Sequence, residues 1–139
     1  MNMLNDIATW LASTSTGFDN IGGGSTAYTI YKYQRPQSTA NMHILYQYGG
    51  PGPDQVYDFS IDNPGLQVIT LSAATSDLGY AVALKVQNRL RFVSNMRIPT
   101  STGSHYIYII PNQSPIALGL DEYRRMQWSQ NFSVKMSYD

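Results

Sequence analysis

From Pro115 to Met136 the chain runs through Pro-Ile-Ala-Leu-Gly-Leu, then a charged cluster of Asp121, Glu122, Arg124 and Arg125, and then a strict two-residue alternation. Met126, Trp128, Gln130, Phe132, Val134 and Met136 fall on one side of that alternation. Successive side chains of a strand point to opposite faces, so the pattern requires a strand with one face turned into a core. Gln130 interrupts the apolar row and leaves room for a bulge or an edge position. Pro115 and Gly119 read as a turn leading into the charges.

Upstream, Leu4, Ile7, Ala8 and Leu11 recur at helical spacing with Trp10 beside them, so residues 3–13 are predicted as an amphipathic helix ended by Ser13–Ser15. Gly22-Gly-Gly24 makes a connection, since three glycines in a row lose too much backbone entropy inside a regular element. Thr26–Gln34 reads as a strand closed by Arg35-Pro36, and Met42–Tyr48 as a second, with Met42, Ile44 and Tyr46 opposite His43, Leu45 and Gln47. The two are predicted to pair as an antiparallel hairpin. The loop Gly49-Gly-Pro-Gly-Pro53 ends the second strand.

After Asn63-Pro-Gly65, Leu66–Leu71 is a short strand, and Ser72–Asp77 offers several N-cap residues. Gly79, Val82, Ala83, Val86, Leu90 and Val93 then form one apolar stripe, with Lys85, Asn88 and Arg91 outside it. This is the best-defined helix of the chain, and the polar loop Pro99–Gly103 follows it. Ser104–Ile110 places Tyr106, Tyr108 and Ile110 opposite His105, Ile107 and Ile109, which predicts a central strand buried on both faces for much of its length.

At 139 residues the chain fits one domain, 1–139. Lys plus Arg equal Asp plus Glu, nine of each, and only 13% of residues are charged, about half the usual share. A dedicated nucleic-acid binder usually carries a basic surface, so that class is disfavoured. Few charges also mean little repulsion between copies, which points to self-assembly. There is no cysteine, so disulfides, a thiol nucleophile and thiolate metal sites are excluded together. No apolar run reaches a membrane-spanning length and the N-terminus lacks a basic start, so no membrane partner is expected.

The chemistry-bearing residues do not assemble into a recognisable site. Neither Gly22–Gly24 nor Gly49–Gly52 has the sequence context of a phosphate loop. His43 and His105 lie on predicted strands without a carboxylate in their own segments, and each reads as a sheet residue rather than a base or ligand. No carboxylate stands three or four residues from either histidine, so no metal site is expected. Asp121 and Glu122 could share acid and base roles, but Arg124 and Arg125 follow at once and make a local ion-pair cluster. Ser76 and Ser129 lack the context of a nucleophile elbow. Tyr-rich strands can stack single-stranded bases, yet the balanced charge offers no basic groove. Catalytic, cofactor and metal residues are therefore all read as none.

The order of helix, two strands, Gly-Gly loop, strand, second helix, strand, Pro-x-x-Leu-Gly-x-Asp-Glu and a final Asn-Phe-x-Val strand is similar to the tail terminator, or tail completion, proteins of long-tailed phages, some of them filed as phage minor capsid proteins. The segments that carry the resemblance are Tyr48-Gly-Gly50, the helix Asp77–Phe92, Tyr106–Pro111, Pro115–Glu122 and Asn131-Phe-Ser-Val134. In many members of that family an Arg is expected between third strand and second helix, where this chain has Ile69-Thr-Leu-Ser72, so no interface role is carried onto that junction. The resemblance implies an α+β fold, a mixed, mainly antiparallel sheet with two main helices packed on it.

It also implies a structural virion protein rather than an enzyme. Six copies would form a ring that caps the tail tube at its head-proximal end, stops tube growth and offers a joining surface to the head connector. The implied partners are other copies of the chain, the tail-tube protein and the connector, with DNA only in transit. Asp121, Glu122, Arg124 and Arg125 become candidate subunit contacts, with pairing inside the subunit as the other reading. A head-tail connector component or a tube subunit is the nearest alternative. A small enzyme or binding domain is the alternative from another class, and its sign would be an enclosed pocket lined by His43, His105 or Asp121.

Overall fold

The computed structural model describes residues 3–12, 28–37, 40–56, 59–73 and 76–137, with the backbone alone at 54–56, 59–60, 73 and 76–78. In chain order the elements are α1 (Met3–Ala12), β1 (Thr29–Lys32), β2 (Met42–Tyr48), β3 (Asp54–Val56), β4 (Phe59–Asp62), β5 (Gly65–Ala73), α2 (Ser76–Arg91), β6 (Ser94–Ile98), β7 (Ser104–Pro111), β8 (Ile116–Leu120) and β9 (Arg125–Ser137). The fold is α+β, as expected: the nine described strands form one mixed, mainly antiparallel sheet, and both helices pack on it. The Ser13–Ser15 stop, the Gly22–Gly24 connection and the predicted strand start at Thr26 lie outside the described residues.

The terminal alternation becomes β9, the spine of the sheet. Along one edge it pairs with β5 and then β4, and along the other with β8 and then β7. Gln130 is therefore central, and the edge position is excluded. Its side chain is buried, and its Nε2 donates to the Ala83 carbonyl of α2 at 3.0 Å. A polar side chain survives in that apolar row because it bonds to the helix lying on top of it.

Two helical stripes cover one face of the sheet. Met3, Leu4, Ile7 and Leu11 of α1 and Val86 and Leu90 of α2 meet Leu66, Val68, Phe132 and Val134 from β5 and β9 in the main core. Arg89, outside the apolar stripe by residue type, is completely buried. Positions 82, 86 and 89 share one helical face, so the spacing sends Arg89 inward. Its guanidinium donates to the Trp10 carbonyl in the last turn of α1 and lies 5.3 Å from the Trp10 ring centroid. A basic group there satisfies a carbonyl that a helix end leaves without an intrahelical partner. Burial lowers the Arg89 pKa from its ordinary value.

The predicted β1–β2 hairpin is corrected: the two strands run parallel, Thr29 opposite Met42 and Lys32 opposite Leu45. A hairpin needs a short reversal, whereas the chain after β1 returns across the sheet to restart in the same direction. Tyr33 turns in the left-handed region at φ 60 and donates its N–H to the Leu45 carbonyl at 3.0 Å. Further along, Arg35 donates to Gln127 at 3.0 Å, and the Ala40 carbonyl accepts from Arg125 at 2.8 Å. The crossover thus lies on the face away from the helices, beside a second buried cluster of Met42, Ile44, Ile69 and Leu71.

Three more differences come from strand pairing that local pattern does not encode. The β3–β4 hairpin has no counterpart among the predicted elements, and β6 fills the unassigned residues between the predicted helix and the Pro99–Gly103 loop. That loop is a hydrogen-bonded turn, with Gly103 N–H donating to the Thr100 carbonyl at 2.9 Å and Arg97 donating to the Gly103 carbonyl at 2.9 Å. In β7 a bulge between Tyr106 and Tyr108 shifts the register against β9. Tyr106 and Ile109, predicted on opposite faces, consequently both enter the core opposite Met136 and Val134. The prediction of burial on both faces fails past the bulge, where Ile110 is 49% exposed.

Candidate functional site

The charged cluster is the turn of a β8–β9 hairpin. Ile116 opposes Ser129, Ala117 opposes Trp128, Gly119 opposes Gln127 and Leu120 opposes Met126, so Leu118 is the extra residue of a bulge. Gly119 sits at φ +93, a conformation that glycine adopts without the penalty of a Cβ. Asp121 N–H then donates to the Arg125 carbonyl at 2.8 Å, and Arg124 N–H to the Asp121 carbonyl at 3.0 Å.

Asp121 holds this turn together. Its Oδ1 accepts from the N–H groups of Tyr123 and Arg125 at 2.9 and 2.8 Å, and its Oδ2 accepts from Arg125 Nε at 2.9 Å and pairs with Nη2 at 2.8 Å. Burial pushes the Asp121 carboxyl up, but the Arg125 and Tyr123 hydrogen bonds and the Arg125 charge outweigh it and hold the pKa below its ordinary value. Arg125 is itself buried, donates to the Ala40 carbonyl, and lies 5.3 Å from the Tyr123 ring centroid. Both guanidinium contacts fall on Oδ2 while Oδ1 takes the two backbone N–H groups, so the carboxylate is fixed from both sides by charge-assisted hydrogen bonds. Of the four candidate contact residues, Asp121 and Arg125 are thus committed to each other, while Glu122 and Arg124 stand exposed at the hairpin tip.

Sequence reasoning missed the strand that leads to this tip. All five residues of β8 are exposed, with Ile116 at 48%, Leu118 at 53% and Leu120 at 61%. Among the described residues β8 pairs with β9 alone, so its other edge is open. The Ile-x-Leu-x-Leu alternation was the available signal, and Pro115 and Gly119 masked it as a turn. An exposed apolar edge without a charge or a proline within it is a template for pairing with another chain.

The two histidines lie far apart. His43 is buried, its Nδ1 2.9 Å from Thr70 Oγ1 and its ring stacked 5.0 Å from Tyr28. His105 Nε2 is 2.8 Å from Asn95 Oδ1. His43 shares a sheet row with Trp128 and His105 opposes Ser137, a separation of about 30 Å along β9 at the usual rise per residue. Among the described residues no three of His, Cys, Asp and Glu come together.

Two open depressions of about 370 and 360 Å³ meet at Tyr48 and Asn112, at the end of the sheet where β2 stops and β5 begins. Neither is lined by His43, His105 or Asp121. The first is lined by Tyr48-Gly-Gly50, whose spacing has a local cause: a Cβ on Gly50 would stand 1.7 Å from the Asn63 carbonyl oxygen. Asn63 Nδ2 donates to the Gly52 carbonyl at 2.8 Å and ties the loop down.

The architecture is that of an α+β protein with one open mixed sheet, helices on one face and an exposed apolar hairpin at one edge. In fold the chain is similar to a chain from the virion of a native gene transfer agent particle, with a TM-score of 0.58 over 97% of this chain and 94% of that one, at 15% sequence identity. No protein-family model and no curated protein matches the sequence.

Proposed function

We propose that this chain is a structural virion protein that assembles into a ring, six copies by resemblance to the tail terminators, and caps the tail tube of a phage-like particle. In this role it ends tube polymerisation and presents the head-proximal surface on which the connector docks. The observation that carries the reading is the likeness, over nearly its whole length, to a chain whose setting is a virion. The open apolar edge of β8 supports it, because a protein that works as an assembled ring needs surface of this kind to cover. Its partners are other copies of itself, the tube protein and the connector. DNA passes through the ring without being held, since tight phosphate contacts would obstruct transit.

The test is negative-stain microscopy of particles produced without the gene, scoring tail length and head attachment. Overlong, headless tubes are expected. Tails of normal length that fail to join heads would move the protein to the connector, and absent tails would make it a tube or initiation component.

A further inference from the structure

We infer that copies of this chain join by edge-to-edge strand pairing, the open edge of β8 in one copy adding to the open edge of β1 in the next. The inference rests on the reading of the chain as a ring former and names the surfaces that would meet.

The registers carry it. Across the sheet, Thr29, Met42, Leu71, Gln127 and Gly119 form one row. Ile30, His43, Thr70, Trp128 and Ala117 form the next, and Tyr31, Ile44, Ile69, Ser129 and Ile116 the one after. β1 and β8 are therefore the two ends of a five-stranded ribbon, level with each other, and among the described residues neither has a partner on its outer side. β1 runs parallel to β2, β2 antiparallel to β5, β5 antiparallel to β9, and β9 antiparallel to β8. A second copy that continues the sheet in the same sense thus brings its β1 antiparallel to β8, with the rows in line.

The side chains that this places together are compatible on both faces. Ile116 would stand opposite the next copy's Tyr31, and Ala117 opposite its Ile30, pairings of aliphatic with aromatic or β-branched residues that stabilise sheets. Gly119 would face its Thr29. The outer edge of β6 suits this less well, since β6 carries exposed Arg97 and Asn95 at φ 48 distorts its strand. Because the two paired edges are different surfaces of one molecule, the contact is heterologous and repeats around a ring or along a filament.

The chain has no cysteine, so a chain carrying both Ile30→Cys and Ala117→Cys reports this contact directly. Directly opposed cysteines on antiparallel strands fall within disulfide range. Oxidation of the purified double variant, alone and mixed with tail tubes, should give a ladder of disulfide-linked species that ends at one closed ring, while neither single variant links. Leu118→Lys should raise the concentration needed for assembly by about tenfold or more, with circular dichroism unchanged, because a charge blunts a strand edge. Efficient linking of Ala117→Cys to itself would mean two-fold β8 pairing and overturn the inference. Rings that form without linking would overturn it while leaving the ring reading in place, and linked open filaments would support edge pairing while removing the cap. A double variant that stays monomeric in both settings would overturn both.

Discussion

β7 and β8 lie end to end along the same edge of β9 and have similar apolar content, yet they end in opposite environments. Tyr106 and Ile109 of β7 are buried under the helices, where α2 packs across β5, β7 and β9. Ile116, Leu118 and Leu120 of β8 lie on the surface. The difference is one of cover. A strand's alternation gives it two faces, but burial requires another element over one of them. The half of the edge that the helices cover belongs to the core, and the half that they leave bare is free to meet another molecule.

The comparison is broken most severely by cutting the core half. Phe132 is completely buried opposite Leu66 and Pro111, and Phe132→Ala should cost ~3–5 kcal/mol in urea unfolding, the range for large-to-small core substitutions. Next is the anchor of the exposed half. Arg125→Ala leaves Asp121 buried without its partner, which should cost about 3–5 kcal/mol by the same measurement. A loss as small as that of a surface substitution would mean that the hairpin is not part of the cooperative fold.

Arg89→Met keeps the bulk but removes the donor to the Trp10 carbonyl, and a loss of ~1–3 kcal/mol is expected for an unsatisfied buried acceptor. The pH dependence isolates the hairpin. Asp121 has a folded pKa below its unfolded value, so its contribution is complete above the ordinary carboxylate range and disappears as pH falls through the folded value. Stability should therefore drop on acidification below that range, and the drop should shrink in Asp121→Asn, read as unfolding midpoints across a pH series. The smallest effect belongs to Leu118→Ser, within about 0.5 kcal/mol, as for a surface site. A larger loss would show that β8 is packed, and would erase the contrast with β7.

Much of the fold was legible because its signals are local. The α2 stripe and the β2 alternation each repeat with the period of their own element, and both reappear at nearly the expected boundaries. The direction of β1 was not legible, since it depends on a crossover over the far face of the sheet that only Arg35 and Ala40 reveal through their partners. Arg89 does not belong to the apolar stripe by residue type, although its spacing puts it on the buried face. At the charged turn, adjacency could not separate Asp121 and Arg125, locked together, from Glu122 and Arg124, left outside.

By itself the sequence determined that residues 126–136 would form a one-faced strand and that a second helix would lie over an apolar stripe, while the α+β class came from the family resemblance. Periodicity encodes which side of an element is apolar, and that is settled residue by residue. Only the tertiary structure decided that β9 is central, that β1 runs parallel to β2, and that the apolar side of β8 stays uncovered. Those outcomes depend on which distant elements come to lie against each face, and no local pattern carries that information.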